Sequence, residues 1–220
     1  MNRKTFFFLP MLLAALVAGA SSQALAAPLP AGGVQFPAAV APAPAGALVI
    51  VASQFSPFST PTFDGLLASF AISGDVTNPH GGLTFLYLLG NAASSSDAIG
   101  RLALDGFSGF LTDVGYDATP VGVPAPFSID RDPAGGVIGA TFAPNGIDPK
   151  SGFLIPGFSA TPIIIRTDAP DWTMSLGSVI DGSVATVDIV APNVPEPSTL
   201  ALAGLGLVGL GVQCVRRRRK

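Results

Sequence analysis

The feature that most constrains the fold is a series of short apolar runs in which side chains alternate in character. In residues 66–73 one alternating set (Leu66, Ala68, Phe70, Ile72) is more apolar than the other. Such a period of two is typical of a β-strand, and no segment between residues 47 and 191 has the 3.6-residue apolar stripe of a useful helix. Further runs of this kind occupy residues 83–89, 99–105, 137–142, 161–167 and 183–190.

Glycine, proline and asparagine separate these runs, as expected of tight turns. Asp181-Gly182, followed directly by the run at 183–190, predicts a β-hairpin. Many short strands with such turns predict a mainly β fold. We therefore expect a single antiparallel β-sandwich, immunoglobulin-like or jelly-roll-like, over residues 47–191. Residues 27–46 are rich in proline, alanine and glycine and are predicted to form a linker.

The N-terminus has the pattern of a secretory signal peptide over residues 1–26. Two basic residues, Arg3 and Lys4, precede an apolar stretch at 6–17. Ala24 and Ala26 then place small side chains at the −3 and −1 positions of a cleavage site, which makes Ala27 the expected first residue of the mature chain. Signal peptidase is therefore an expected partner, and the protein is predicted to be exported.

The C-terminus has the pattern of a membrane anchor. Residues 200–215 contain no charged side chain, and a helix of that length rises about 24 Å, close to the hydrocarbon thickness of a bilayer. A basic cluster follows immediately: Arg216, Arg217, Arg218, Arg219 and Lys220. Cytoplasmic retention of that cluster by the positive-inside rule stops transfer and leaves the rest of the chain outside the cytoplasm.

Pro195, Glu196 and Pro197 stand just before the predicted helix. This triplet, the glycine-rich apolar segment and the terminal arginine cluster, in that order, resemble the PEP-CTERM sorting signal, here over residues 192–220. The resemblance implies a Gram-negative bacterium that makes exopolysaccharide, an exosortase as partner, and transfer from the inner membrane to the cell surface or matrix. The residues themselves suggest an extended cleavage handle, because proline prevents helix from propagating upstream. A simple proline-rich stalk before a tail anchor is the alternative.

Charge is distributed unevenly along the chain. Seven of the eleven basic residues lie at the termini, which leaves four against the 14 acidic residues. A strongly acidic exported domain repels phosphate backbones, so nucleic-acid binding is excluded. The single cysteine, Cys214, lies in the predicted anchor, so the exported domain forms no disulfide and no thiolate metal site.

The only histidine, His80, limits the possible enzyme chemistry. A Ser-His-Asp triad would have to use it, and there is no Gly-x-Ser-x-Gly elbow to supply a nucleophile. One histidine also excludes a multi-histidine zinc site. Because Asn78-Pro79 precedes it and Gly81-Gly82 follows it, we expect His80 in a surface turn with few buried contacts, and we expect no enzymatic activity and no cofactor.

Two groups of carboxylates are the remaining candidates for chemistry. Asp105, Asp113 and Asp117, or Asp130 with Asp132, could form a glycosidase pair, and Asp130-Arg131-Asp132 also superficially begins a calcium loop. The calcium pattern is incomplete, because Pro133 and Ala134 follow where more oxygen ligands are needed. Solvated turns are the favoured interpretation of both groups.

Aromatic residues could stack on sugars, and Tyr87, Tyr116 and Trp172 are the candidates. Scattered aromatics more often pack in a core or at a sheet edge. The predicted function is a non-enzymatic structural or exopolysaccharide-binding module of the envelope or matrix. A hydrolase of unrecognised type and a protein-adhesion module remain alternatives, the latter favoured by a long, unprotected edge strand.

Overall fold

The computed structural model describes residues 27–40, 48–117, 123–142 and 152–194. Within these ranges the chain forms β-strands and no helix. The thirteen strands, in chain order, are β1 Ala27–Pro28, β2 Val34–Gln35, β3 Ala38–Val40, β4 Val49–Ser59, β5 Asp64–Ser73, β6 Thr84–Asn91, β7 Arg101–Asp105, β8 Thr112–Asp117, β9 Ser128–Arg131, β10 Val137–Thr141, β11 Ile163–Thr167, β12 Trp172–Asp181 and β13 Ser183–Pro192.

The strands form two sheets. The seven-stranded sheet has the order β1-β8-β11-β6-β5-β4, with β3 also paired to β8, and the six-stranded sheet has the order β13-β12-β7-β10-β9-β2. All pairings are antiparallel except that of β3 with β8. The prediction of a mainly β, sandwich-like domain is therefore confirmed at this level.

The inward side chains of both sheets form one core. Phe85 of β6 meets Phe107, just after β7, edge to face with ring centroids 6.1 Å apart. Leu102 and Leu104 of β7 point inward and are fully buried, as their alternation with Arg101 and Asp105 predicts. Burial of such apolar surface is the main term that stabilises the fold.

In β5 the side that is buried is not the one that the alternation of apolar residues predicts. Leu67, Ser69 and Ala71 of its less apolar set are fully buried, whereas Leu66 of the more apolar set is 43% exposed. The reason lies in the opposite sheet, since the Ser69 hydroxyl accepts a hydrogen bond from the Val190 backbone N–H at 2.9 Å. A small polar side chain is required where the strand of the other sheet approaches so closely.

Residues 27–40 belong to the sandwich and are not the loose linker that their composition suggests. β1 and β3 both pair with β8, and β2 pairs with β9 in the other sheet. Leu29 and Val40 are buried. The residues 41–46 of the predicted linker lie outside the described ranges.

The predicted hairpin is present and joins the two longest strands of the six-stranded sheet. β12 and β13 pair over ten positions, from Trp172 opposite Pro192 to Asp181 opposite Ser183. Gly182 makes the turn with a φ of 63°, a left-handed conformation that glycine adopts without steric cost. This hairpin places the C-terminal end of β13 beside the start of β12.

Candidate functional site

Strand β13 leads directly to the predicted sorting motif. Its last residue, Pro192, pairs with Trp172, and the Asn193 backbone N–H donates to the Asp171 carbonyl at 3.1 Å. The description of the chain ends at Val194, one residue before Pro195. The last of these backbone hydrogen bonds is therefore at Asn193, two residues before Pro195.

Strand β13 is an edge strand whose outer backbone groups bond to hydroxyls of the opposite sheet. The Ser56 hydroxyl donates to the Asp188 carbonyl at 2.7 Å. The Tyr87 hydroxyl donates to the Val190 carbonyl at 2.8 Å, while the Val190 N–H donates to Ser69. These three hydroxyls, which we call the hydroxyl clamp, satisfy buried polar groups that an edge would leave unpaired.

The other sorting residues predicted from the sequence lie outside the described ranges. These are the cleavage-site residues Ala24 and Ala26, the motif Pro195, Glu196 and Pro197, and the basic cluster Arg216–Lys220. Ala27 is described and begins β1, where it pairs with Val114 of β8. No helix within the described ranges is long and apolar enough to cross a bilayer, and the predicted helix at 200–215 lies beyond them.

His80 occupies the predicted turn but makes a contact that the sequence does not suggest. Its Nε2 lies 2.8 Å from Oδ1 of Asp113, which is 5% exposed. The His80 backbone N–H also donates to the Asn78 side chain at 2.9 Å. The expectation of few buried contacts is therefore wrong, because His80 is the hydrogen-bond partner of a buried carboxylate.

The aspartates proposed for calcium already have partners in the fold. Arg101 binds Asp130 through two hydrogen bonds of 2.6 and 2.7 Å, and this bond raises the pKa of the arginine. Asp132 instead accepts from the Val137 backbone N–H, which lowers the pKa of its carboxyl. Among the described residues, no three His, Cys, Asp or Glu side chains come together to hold a metal ion.

The carboxylates proposed for glycoside hydrolysis are divided between the two sheets. Asp105 lies at the end of β7 in the six-stranded sheet, whereas Asp113 and Asp117 lie on β8 in the other sheet. Asp113 and Asp117 are four residues apart on one strand, which separates their Cα atoms by about 13 Å. Catalytic carboxyl pairs of glycosidases lie roughly 5–9.5 Å apart.

The three aromatic candidates for sugar stacking occupy different environments. Tyr87 is fully buried, and burial raises the pKa of its hydroxyl. Tyr116 is partly buried on β8, and Trp172 is 36% exposed on β12. The structure therefore brings no row of these three aromatics together, and only Trp172 presents a substantial surface.

Two arginines that the sequence analysis did not single out organise the interior. Arg131 is 7% exposed and uses all five N–H donors, over 2.6–3.2 Å, on the Thr112 hydroxyl and four backbone carbonyls. Those carbonyls belong to Leu29, Phe107, Phe110 and Gly135. Burial lowers the pKa of the Arg131 guanidinium, and the charges of Asp132 and Asp168 oppose that shift.

Arg166 forms the second buried centre. Its Nε donates to Oδ2 of Asp75 at 3.1 Å, and both side chains are 2% exposed. Its Nη2 donates to the Thr77 hydroxyl at 2.6 Å, and Thr77 in turn donates to Asp75. Thr84 adds a further hydrogen bond to Asp75 at 2.8 Å. The cluster fastens the loop after β5 to strands β6 and β11.

The feature of the sequence that could have pointed to these buried arginines is the rarity of basic residues, since no motif surrounds them. The described residues contain twelve aspartates and three arginines. Each arginine is engaged: Arg101 with Asp130, Arg166 with Asp75, and Arg131 with five oxygen acceptors. The accessible charge of the described domain is therefore almost entirely negative.

Two of the grooves that the described residues form are open to solvent. One, of about 310 Å³, runs between the edge strands β4 and β13 and is lined by Gln54, Phe55, Ser56, Pro57, Leu176, Thr186, Val187 and Asp188. The other, of about 470 Å³, lies at the end of the sandwich far from Val194 and is lined by Phe58, Ser59, Asp64, Gly65, Leu66, Gly90, Asn91 and Ala92. The first groove combines an exposed aromatic ring with amide, hydroxyl and carboxylate groups.

Comparison with known proteins identifies the C-terminal segment alone. Residues 193–219 match the family model described as the PEP-CTERM protein-sorting motif. No curated protein and no solved structure matches the chain. The matched segment begins directly after β13, and it supports export of the chain and its sorting toward the cell envelope by an exosortase.

Proposed function

The chain carries a PEP-CTERM protein-sorting motif at residues 193–219, and from that premise we propose that an exosortase cleaves it near Pro195–Pro197 and releases the sandwich to the cell surface or matrix. Before that step, residues 200–215 anchor the protein in the inner membrane and the basic cluster stays in the cytoplasm. The observation that carries the proposal is the motif match immediately after the last strand.

The structure supports accessibility of the proposed cleavage handle. The hydrogen bonds of the sheet end at Pro192 and Asn193, and Val194 is 39% exposed. Five residues, 195–199, separate Val194 from the predicted helix, and an extended chain of that length spans about 17 Å at most. In the anchored form that we propose, the handle is the short connection between the folded domain and the bilayer, where a membrane-embedded peptidase acts.

The sorting proposal predicts a difference in mass between two strains. In cells with the exosortase, the mature protein begins at Ala27 and lacks the segment 200–220; in cells without it, that segment stays attached. The variant with Pro195→Ala and Pro197→Ala is exported but is processed poorly, because helix extends upstream into the handle. Intact-mass spectrometry of membrane and surface fractions measures this.

Pro170→Ala is the matched control for the proline substitutions. Pro170 lies in the loop before β12, at the same end of the sandwich but outside the motif, so this variant is processed like the native chain. If the mature protein keeps its C-terminal segment in both strains, the segment is only an anchor and the proposal fails.

For the sandwich itself we propose a non-enzymatic role as a structural or exopolysaccharide-binding module. The groove between β4 and β13 supports it, since Phe55 is 56% exposed there beside the polar groups of Gln54, Thr186 and Asp188. The excess of aspartates over available cations favours a neutral polymer over a uronic acid polymer.

This preference gives a direct binding prediction. The protein released from cells is expected to sediment with neutral exopolysaccharide and not with a uronic acid polymer, at physiological ionic strength. Raising the salt concentration is expected to leave the neutral interaction unchanged, because it does not depend on charge. Equal binding to both polymers, or binding to neither, would count against this role.

A further inference from the structure

The two sheets have edges that are protected to different degrees. An edge strand presents unpaired N–H and C=O groups to any strand that approaches, so proteins shorten, charge or cover their edges. The edge strands β1 and β2 each have only two residues. On the long edge strand β13, the hydroxyl clamp satisfies the outer backbone groups of Asp188 and Val190. Three edges are thus short or partly covered.

The fourth edge, β4, is different. It has 11 residues, from Val49 to Ser59, pairs with β5 on one side, and has no strand on its other side within the described ranges. Its first residues are exposed on both faces: Val49 is 58%, Ile50 61% and Val51 40% exposed. A long, apolar and exposed edge of this kind is a template for pairing with another strand.

Two features limit the part of β4 that can pair. Pro57 has no N–H to donate, and the neighbouring Ser56 is bonded to β13 through the hydroxyl clamp. The free stretch is therefore Val49–Phe55. The pairing with β5 is irregular between Ile50 and Ala52, which increases the local twist of the strand. This irregularity places no charged residue on the stretch and does not cover its edge.

The charge of the domain indicates which partner fits this edge. β4 contains no charged residue, although the described residues hold twelve aspartates and three arginines. A basic partner strand would find no carboxylate on β4 itself to bind, and the aspartate in the adjoining groove, Asp188, lies beside Ser56 at one end of the edge. A second copy of this chain would meet repulsion over most of its acidic surface but least along Val49–Phe55. In a dimer with two-fold symmetry, the uncharged segment of one copy lies opposite the same segment of the other copy.

We propose that the Val49–Phe55 edge of β4 pairs antiparallel with the same edge of a second copy, joining two seven-stranded sheets into one. The outer faces of the two sheets then become continuous. Phe55, which packs edge to face on Phe70 with centroids 5.6 Å apart and is 56% exposed, lies at the end of the paired stretch, so pairing and polysaccharide binding at this ring exclude each other. The pairing is favoured where many copies share one surface, as at the cell envelope.

The test is cysteine cross-linking of the full chain in cells. The chain has one cysteine, so Cys214→Ser gives a cysteine-free background. Single cysteines are placed in turn at residues 49–55, and a mild oxidant is added before gel electrophoresis without reductant. One or two positions near the two-fold axis are expected to give a disulfide-linked dimer of this chain.

Val184→Cys is the matched control, since Val184 lies on the other long edge strand, β13, and is 61% exposed, the same fraction as Ile50. It is expected to remain monomeric. Ile50→Lys, added to the best cross-linking variant, is expected to reduce the dimer at least tenfold, whereas Val184→Lys is not. Absence of dimer at every position, as when residues 41–47 or another protein cover the edge, overturns the proposal, and so does equal cross-linking of the control.

Discussion

Arg131→Met is expected to destabilise the sandwich by about 3–5 kcal/mol, a large part of the stability of a typical domain. The side chain is buried, and its five hydrogen bonds join the segment after β1, the loop after β7, the turn after β9 and strand β8. Methionine fills similar volume but leaves four backbone carbonyls without this donor. Urea-induced unfolding of residues 27–194, followed by circular dichroism and by the single tryptophan, Trp172, measures the loss.

Arg101→Met is the control for the loss of a positive charge. Arg101 also binds oxygen atoms, but its side chain is 34% exposed and lies on the outer face of β7. An ion pair of that exposure contributes about 0–1 kcal/mol, so the control is expected to unfold near the native midpoint. Equal losses in the two variants would show that the hydrogen bonds of Arg131 are not what stabilises this end of the fold.

The second large effect is expected at the buried pair of Asp75 and Arg166. Asp75→Asn and Arg166→Met are each expected to cost about 3–5 kcal/mol, because each leaves a buried charge without its partner. The double variant removes both charges and is expected to cost clearly less than the sum of the single losses. Additive losses would contradict a direct coupling between the two side chains, and unfolding of all three variants in urea provides the measurement.

The same pair predicts a dependence on pH. Burial raises the pKa of the Asp75 carboxyl, but hydrogen bonds from Thr77, Thr84 and Arg166 lower it more, so the net shift is downward. A lowered pKa in the folded state means that the stabilisation is complete above the unfolded-state value of about 3.9 and is lost as pH falls through the folded-state value. The difference in unfolding free energy between the native chain and Asp75→Asn is therefore expected to be constant from pH 7 to about 5 and to shrink in more acidic solution.

Alternation predicted where many strands lie, but not always which face is buried. The runs at 83–89, 99–105 and 137–142 correspond to β6, β7 and β10. In β5 the inward face includes Ser69, because the backbone of β13 in the other sheet supplies its hydrogen bond. The pattern within one strand does not show how closely a strand of the opposite sheet approaches. Hydropathy therefore predicted where the strands lie along the chain better than it predicted which side of each strand is buried.

Strand β8 shows the same limit for charged residues. Its sequence, Thr-Asp-Val-Gly-Tyr-Asp, has the composition of a turn, yet it lies between β11 and the short strands β1 and β3. His80 binds Asp113 of this strand from 33 residues away. Gly115 fits because Val40 and the carbonyl of Ala38 on β3 approach closely where a side chain would stand. Partners so distant in sequence are not visible in a local pattern.

The candidate sorting site, by contrast, was accessible from sequence because its chemistry is local. Pro195, Glu196 and Pro197, the apolar segment and the arginine cluster act through their order along the chain, and residues 193–219 match the sorting motif. The buried arginines act through contacts made only in the folded state. The residues around Arg131 in the sequence give no sign that it binds the carbonyl of Leu29, which is 102 residues away along the chain.

The hydroxyl clamp on β13 has a mechanical consequence. If residues 200–215 anchor the protein as proposed, tension on that segment passes through Val194 into β13, which pairs with β12 over ten positions. A load along the strand axis shears those ladder bonds together instead of opening them one at a time. The hydroxyls of Ser56, Ser69 and Tyr87 spread part of the load into the other sheet. A tethered domain built in this way resists extraction by force until the tether itself is cut.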